Sequence, residues 1–377
     1  MADLTLETTL KETESLKKYR RDLHLIPELD FNIPQTSAYV RSHLESLPGK
    51  LYEPAPSSFV IYFDAGRPDT IAFRADMDGL PITERADRPG RSTHDGKMHA
   101  CGHDGHMSMA LALCDFVSQN IDSLPHNVAV IFQPAEESIG GAKGICESGI
   151  FQELGIIAVF GLHMWPGFAA GEIVSRPLEL MARCSEVHIK ITGKSVHIAK
   201  AWLGADALLA GANLVSRLNA TVPNDPLQLL RFGQMHAGTT GNIVAGSGKV
   251  DGVLRSFSEE HFNGLVKLLN DTAADVARET GCEIAVEMTE GYPAVMNDPD
   301  LFQTVLDMGN KITILDVPPM TGEDFSFYQK EVPGVFFFVG TGQDDALHSQ
   351  TFDFDEAALG SGLALLKRLL FLPAKTA

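Results

Sequence analysis

The distribution of apolar residues predicts a protein in which buried strands alternate with helices. Short apolar runs of this kind predict strands. They lie at residues 59–63, 70–74, 127–132, 158–162 and 335–339. Helical spacing is found at 5–47, between two of these runs at 106–120, and near the end at 356–371. This order predicts an α/β fold with a central mixed or parallel sheet and helices on both faces.

The pattern changes near residue 181. Val187, Ile189 and Ile191 alternate with polar residues, which is typical of a half-buried strand. Strand and helix patterns then follow in the order β-α-β-β-α-β up to about residue 289. We therefore predict that residues 181–291 form an inserted α+β domain. The α/β domain is then made of residues 1–180 and 292–377.

Composition excludes several classes of protein. The 377 residues contain 30 Lys plus Arg and 49 Asp plus Glu, and the formal net charge is −19. Such an acidic surface repels phosphate backbones and anionic lipids, so we expect neither nucleic-acid nor membrane binding. The five cysteines form no close pair, and the first residues do not resemble a signal peptide. Both observations favour a cytoplasmic location.

The densest chemical signal lies at residues 98–106, which read Met-His-Ala-Cys-Gly-His-Asp-Gly-His. Cys101 and His103 carry a thiol and an imidazole, the groups that suit zinc and related transition metals. The glycines allow a turn tight enough for such groups to converge. A histidine-rich surface loop with a buried cysteine is the alternative interpretation of this segment alone.

Three further segments add groups that can bind a metal. Glu136 and Glu137 directly follow an apolar strand, where one carboxylate can bind metal while the other moves a proton. Taken alone, this pair is also compatible with a solvated acidic turn. His163 lies at another strand end, and His348 lies in the loop before the last helix. The set Cys101, His103, Glu137, His163 and His348 can hold two ions if one ligand bridges them.

Asp76 and Asp78 follow a further strand, in the segment Arg-Ala-Asp-Met-Asp-Gly-Leu-Pro at 74–81. They are candidates for metal ligands or for acceptors that orient a ligand imidazole, and we favour the second role for at least one of them. A simple turn at Asp78-Gly79 remains an alternative.

These segments, in this order, resemble the metal-dependent amidohydrolases of the aminoacylase/carboxypeptidase family. The most similar branch contains N-acyl-amino-acid deacylases, hippurate hydrolases, auxin-conjugate hydrolases and N-acetyl-diaminopimelate deacetylases. The matching segments are 20–28, 74–81, 98–106, 133–137, 161–166, 322–325 and 348–349.

The resemblance implies two divalent metal ions per subunit, with zinc or manganese favoured and cobalt or nickel possible. It assigns Cys101, His103, Glu137, His163 and His348 as ligands and Glu136 as the general base for a metal-activated water. It also implies that the inserted domain is a lid through which the protein forms a homodimer.

Three residues of the inserted domain receive roles from the same resemblance. His197, in Gly-Lys-Ser-Val-His at 193–197, matches a histidine that helps to stabilise the tetrahedral oxyanion. The family usually has glycines where this chain has Ser195 and Val196. Asn242 matches an asparagine that contacts substrate. Arg255 suits a substrate carboxylate through a bidentate pair, although a structural ion pair would explain it equally well.

The function we predict is hydrolysis of the amide bond in N-acyl amino acids of the N-acetyl, N-benzoyl or indole-acetyl type. A metallo-exopeptidase or dipeptidase is the nearest alternative. A non-catalytic metal- or metabolite-binding protein on the same scaffold is a more distant one. A redox role for Cys101 would require a reactive free thiol in the metal-loaded protein.

Overall fold

The computed structural model describes residues 5–85, 87, 89–222 and 225–373. They divide into two compact units. The large unit comprises the described residues up to Leu180, Val295–Asp316, and those from Asp324 onward. The small unit comprises Met181–Ala294 together with Val317–Glu323. The sequence predicted the inserted domain at 181–291. It did not indicate that residues 317–323 also belong to the small unit.

The helices and strands are numbered in chain order. Before the small unit they are α1 (Leu10–His24), α2 (Pro34–Leu44), β1 (Lys50–Tyr52), β2 (Phe59–Phe63), β3 (Thr70–Asp76), α3 (His103–Asn120), β4 (Asn127–Gln133), α4 (Ala142–Glu147), α5 (Ile150–Glu153), β5 (Ile156–Trp165), β6 (Ile173–Ser175) and β7 (Leu178–Met181). Next come β8 (Arg183–Thr192), α6 (Ala207–Thr221), β9 (Gln228–Ala237), β10 (Ser247–Ser256), α7 (Glu259–Thr280) and β11 (Glu283–Met288). The chain continues with β12 (Val295–Asn297), α8 (Pro299–Asp307), β13 (Thr313–Ile314), α9 (Tyr328–Glu331), β14 (Gly334–Gly340) and α10 (Ala357–Leu369). Short 3-10 helices lie at Ile121–Ser123, Ile198–Leu203 and Asp324–Phe327.

Eight strands of the described chain form a mixed sheet in the order β1-β2-β4-β3-β5-β14-β6-β13. The four central strands β4, β3, β5 and β14 run parallel to one another. Every residue of β3, β4 and β14 is buried, which explains their continuous apolar runs. The predicted central mixed sheet is therefore confirmed. Because the four strands are parallel, their carboxyl ends meet at one edge of the sheet.

Helix α3 packs against the central strands and is buried along most of its length. The sequence predicted that this helix begins at residue 106, whereas it begins at His103. Gly102 precedes it in the left-handed conformation, with φ of 86°. A Cβ at that position would lie 2.9 Å from Cβ of Met164, so the approach to the helix requires a glycine. The segment with the proposed ligands Cys101 and His103 is thereby placed at the amino end of a buried helix.

The small unit follows the predicted β-α-β-β-α-β order, from β8 to β11. Its sheet is antiparallel, in the order β11-β8-β10-β9. The alternation in β8 is explained by the burial of Val187, Ile189 and Ile191 in a core shared with α6 and α7. Helix α7 begins after Ser258, whose hydroxyl accepts a hydrogen bond from the amide of His261. No helix within the described residues is both long and apolar enough to cross a membrane.

Candidate metal centre

The predicted ligands come together at the carboxyl edge of the large sheet. Glu137 follows β4, His163 lies near the end of β5, and His348 lies in the loop after β14. Cys101 and His103 approach the same place from the amino end of α3. Helix α3 directs its partial positive charge toward this cluster, which favours a thiolate and a carboxylate there. Side chains from five separate positions therefore meet at one point of the large unit.

Cys101 lies at the centre of the cluster. Its Sγ is 3.3 Å from Nε2 of His163 and 3.4 Å from Nε2 of His348. Oε1 of Glu137 is 3.2 Å from Nε2 of His348 and 3.7 Å from Nε2 of His103. The possible ligand atoms of Cys101, His103 and His163 lie within 4.8 Å of one another, as do those of Cys101, Glu137 and His348. Cys101 belongs to both of these groups, as a bridging thiolate would, and His103 and Glu137 form a further group with Glu136.

Two of the buried histidines are oriented for different tasks. His163 places Nδ1 2.7 Å from the main-chain oxygen of Met164, so that nitrogen donates and the lone pair of Nε2 is available. Burial and the neighbouring His106 ring hold the pKa of His163 well below its usual range, which favours the neutral ligand form. His106 uses both nitrogens: Nδ1 lies 2.6 Å from Asp76, and Nε2 accepts from the amide of Met164 at 2.8 Å. His106 is therefore a structural residue beside the cluster.

His103 supports the presence of a cation. Its ring is fully buried, and neither of its nitrogens has a hydrogen-bond partner among the described residues. Oε1 of Glu137 is likewise buried, and within that part of the chain no contact, including Nε2 of His348 at 3.2 Å, has hydrogen-bond geometry. A buried polar atom left without a partner costs about 1–3 kcal/mol. Coordination to a metal ion would satisfy Nε2 of His103 and Oε1 of Glu137, while Nδ1 of His103 faces Oδ1 of Asp78 at 3.7 Å.

The charges of the cluster agree with this interpretation. Burial favours a neutral His103, but the carboxylates of Asp76 and Asp78 outweigh it and raise the pKa of His103 to about 10. Burial, together with Glu137 and Glu136, raises the pKa of the Cys101 thiol well above its usual value. Without a cation, proton uptake by these groups balances the carboxylates. The thiol, imidazole and carboxylate donors fit divalent ions of the zinc type.

The two aspartates after β3 have different partners. Asp76 is fully buried, and its carboxylate accepts from Nη1 of Arg74 at 2.7 Å and contacts Nδ1 of His106. Oδ1 and Oδ2 of Asp78 accept from the main-chain amides of Glu136, at 3.0 Å, and Glu137, at 3.1 Å. The sequence left ligand, imidazole acceptor and turn open for these residues. The structure gives both carboxylates hydrogen-bonding partners beside the cluster.

Glu136 lies next to the ligand groups. Its Oε2 is 3.9 Å from Nε2 of His103, and the residue is 6% exposed. Ala135, just before it, is buried and has a positive φ of 60°. This turn directs the adjacent carboxylates of Glu136 and Glu137 into the cluster.

Comparison with known proteins identifies the family. The model of peptidase family M20/M25/M40 matches residues 72–371, which include all five proposed ligands. The chain belongs to this family. As a member of the M20 family it is a hydrolase, and the predicted resemblance to metal-dependent amidohydrolases is confirmed.

Two curated M20 relatives cover nearly the whole chain. A hydrolase of Staphylococcus haemolyticus is 36% identical over 366 residues, which are 93% of this chain and 96% of that protein. The N-acetyldiaminopimelate deacetylase of Brevibacillus brevis is 33% identical over 368 residues, which are 94% of this chain and 97% of the enzyme.

Two solved structures have a similar fold. A putative aminohydrolase of Staphylococcus aureus has a TM-score of 0.89 and 26% identity, over 96% of this chain and 97% of its own. The YXEP protein of Bacillus subtilis, a dinuclear metal-binding peptidase from the M20 family, has a TM-score of 0.85 and 28% identity. That match covers 96% of this chain and 98% of YXEP.

The structure places His197 and Asn242 in neighbouring segments of the small unit of this M20 chain. The main chains of His197 and Ile243 form an isolated β-bridge, and the carbonyl of Asn242 accepts from the amide of Ile198 at 2.9 Å. Both His197 and Asn242 are exposed. Nδ1 of His197 accepts from the amide of Ala199 at 3.1 Å, so Nε2 carries the hydrogen in the neutral ring and can donate it.

Arg255 lies on β10 of the small unit and is half-buried. Its Nη1 donates to the main-chain oxygen of Met320, in the segment that returns at 317–323. Within the described residues it forms no ion pair, and its Nε is buried without a partner. The proposed structural ion pair is therefore not found in this part of the chain.

The sequence analysis did not identify a buried polar network that lies beside the cluster. Gln133 accepts from Nε of Arg74 at 2.9 Å and donates to Asp324, which also accepts from Nη2 of Arg74 at 2.9 Å. The hydroxyl of Tyr328 donates to Gln133 at 2.9 Å. The available signal was the presence of Arg74 and Gln133 in buried strands, where an uncharged apolar side chain is the usual choice.

Proposed function

We propose that this protein hydrolyses the amide bond of N-acyl amino acids with two divalent ions bound at the cluster. The observation that carries the proposal is that Cys101 belongs to both ligand groups, with Glu136 beside them. One group is Cys101, His103 and His163, and the other is Cys101, Glu137 and His348. Relatives named N-acetyldiaminopimelate deacetylase, such as that of Brevibacillus brevis, support an N-acyl amino acid as the substrate class.

The bound ions would supply Lewis-acid chemistry, polarising the amide carbonyl and lowering the pKa of a water. Zinc or manganese suits this donor set best, and cobalt or nickel could replace them. Glu136 accepts the proton of the attacking water at its carboxylate and returns it to the departing amine. His163, neutral and fixed by Met164, holds its lone pair toward the cluster.

We propose roles in the reaction for three residues of the small unit. His197, with hydrogen on Nε2, would donate to the oxygen that becomes negatively charged during attack. Asn242 would contact the substrate, and Arg255 would pair with its free carboxylate. We propose that the small unit acts as a lid over the substrate.

We also propose that the small unit mediates homodimer formation. Strand β9 is an edge of its sheet and carries Met235, which is 42% exposed. Leu208 and Leu209 at the start of α6 are about half-exposed. A second copy would cover this edge by pairing with its own β9. Molar mass measured by light scattering, for the native chain and for a Met235→Lys variant, tests this assembly.

We also propose that the protein is located in the cytoplasm. All five cysteines are free, and the proposed role of Cys101 requires a reduced thiolate. Loss of metal binding after mild oxidation, and its recovery with a reductant, would support this requirement.

A hydrolysis screen tests the proposed activity. The metal-free protein is loaded in turn with zinc, manganese, cobalt or nickel, and assayed on N-acetyl, N-benzoyl and indole-acetyl amino acids and on dipeptides. Release of free amino acid from the acylated substrates, abolished by chelation and restored by metal, is the expected result. Cleavage of dipeptides alone would show an exopeptidase instead, and full activity without metal would contradict the proposal.

A further inference from the structure

We propose that Asp78 is a positioning residue that holds Glu136 and Glu137 in place through their main-chain amides. The proposal rests on the proposed function, because that function gives Glu136 the role of base and Glu137 the role of ligand. Asp78 touches neither the reacting atoms nor a metal in this scheme.

The geometry is that of one carboxylate receiving two consecutive amides. Asp78 is 1% exposed, and its Oδ1 and Oδ2 lie 3.0 Å and 3.1 Å from the amide nitrogens of Glu136 and Glu137. Each oxygen accepts one hydrogen bond, and such charge-assisted bonds are stronger than those between neutral groups. An asparagine has one accepting oxygen and one donating NH₂ group, so it could serve only one of the two amides.

The turn that Asp78 holds has an unfavourable backbone conformation. Ala135 has φ of 60° and is fully buried, and a non-glycine residue in that region costs about 1–2 kcal/mol. Its carbonyl accepts from the amide of Gly140 at 3.0 Å, which closes the loop on one side. The carboxylate of Asp78 fixes the other side, where the two glutamates lie.

Asp78 is itself firmly held. The amide of Gly79 donates to the carbonyl of Glu28 at 2.7 Å, and the amide of Leu80 donates to the carbonyl of Met98 at 2.9 Å. Met98 lies three residues before Cys101. Asp78 therefore connects the loop that carries both glutamates to the segment that leads to the thiol ligand.

The role predicts an asymmetric effect on metal binding. Glu137 belongs to the group formed with Cys101 and His348 and to that formed with His103 and Glu136, whereas the group of Cys101, His103 and His163 does not include it. If Asp78 positions Glu137, its loss should loosen one of the two ions and leave the other in place. General destabilisation of the fold would loosen both, and so would an action through His103, whose Nδ1 lies 3.7 Å from Oδ1 of Asp78.

The test compares Asp78→Asn with Asp298→Asn in titrations of the metal-free protein with zinc. Asp298 caps α8 and accepts a single amide, that of Leu301 at 2.8 Å, so asparagine can replace it. For Asp78→Asn we expect one of two zinc affinities to fall about 10- to 100-fold, as is typical for partners of metal ligands. We also expect kcat to fall while KM stays within about twofold. Asp298→Asn should match the native protein in every measurement.

Equal zinc affinities in Asp78→Asn and the native protein, or equal weakening of both ions, would overturn the inference. If the native protein itself bound no zinc, the proposed function would fail. Hydrogen exchange of the amides of Glu136 and Glu137 would then still test the role of Asp78. If Asp78→Asn does not fold, hydrogen exchange is measured on the native chain instead. The amides of Glu136 and Glu137 should then exchange far more slowly than in an unstructured peptide, and rapid exchange of either would overturn the inference.

Discussion

Sγ of Cys101 lies 3.3 Å from Nε2 of His163 in the buried cluster at the carboxyl edge of the large sheet. The thiol also belongs to the second ligand group, with Glu137 and His348. We expect Cys101→Ser to lose both ions, with at least about 100-fold weaker zinc binding, since a serine hydroxyl is not an anionic ligand at neutral pH. Metal analysis after dialysis against a weak chelator measures this.

Cys146→Ser is the matched control for Cys101→Ser. Cys146 is also buried and free, but it belongs to neither ligand group. It should retain the native metal content. Retention of two ions by Cys101→Ser would contradict the bridging role of the thiol.

The pKa values of two ligands predict how metal binding depends on pH. The pKa of His103 is raised to about 10, and that of the Cys101 thiol is raised well above its usual value. Both groups are therefore protonated in the metal-free protein at pH 7. Metal binding must displace these protons, and affinity should rise with pH by about tenfold per unit for each proton displaced, up to the pKa of that group. Titration calorimetry in buffers of different ionisation enthalpy counts the protons. Binding that releases no protons at pH 7 would contradict these pKa shifts.

Much of the fold was predictable because its central strands are buried on both faces. The apolar runs at 127–132 and 335–339 became β4 and β14, and the alternation of runs with helical segments predicted a mixed or parallel sheet. Glu137 and His163 both follow apolar runs, and ligand-competent groups at strand ends of one α/β domain favoured a shared site. The five ligands could therefore be proposed from their positions after strands and from the resemblance.

The supporting contacts were not predictable, because they depend on the path of loops rather than on strand order. Nothing in the sequence shows that Ala135 has a positive φ or that Asp78 faces two main-chain amides. His106 lies among ligand candidates, and only the position of the Met164 amide shows that both of its nitrogens are used. The return of 317–323 to the small unit had no periodic pattern to reveal it.

Gly102→Ala should weaken both the fold and the metal centre. The new Cβ would lie 2.9 Å from Cβ of Met164, at a φ of 86° that favours glycine. We expect the free energy of unfolding to fall by about 1–3 kcal/mol and His103 to shift, with weaker zinc binding. Urea unfolding and zinc titration measure the two effects.

Gly66→Ala is the control for the cost of placing alanine in the left-handed backbone conformation. Gly66 has φ of 67°, and a Cβ there would have nothing within 4 Å. It should show the cost of the left-handed conformation without a change in metal binding. Equal behaviour of Gly66→Ala and Gly102→Ala would show that the contact with Met164 does not matter.

The two adjacent glutamates should separate chemistry from metal binding. Glu136→Gln keeps the shape of the side chain but cannot accept a proton, so we expect both ions to be retained and kcat to fall about 10²- to 10⁴-fold. Glu137→Gln loses a charged ligand, so we expect it to lose one ion before it loses the fold. Zinc content and turnover, measured on the same preparations, distinguish the two residues. Turnover by Glu136→Gln near the native rate would remove Glu136 from the role of base, whereas full zinc content in Glu137→Gln would remove Glu137 from the ligand set.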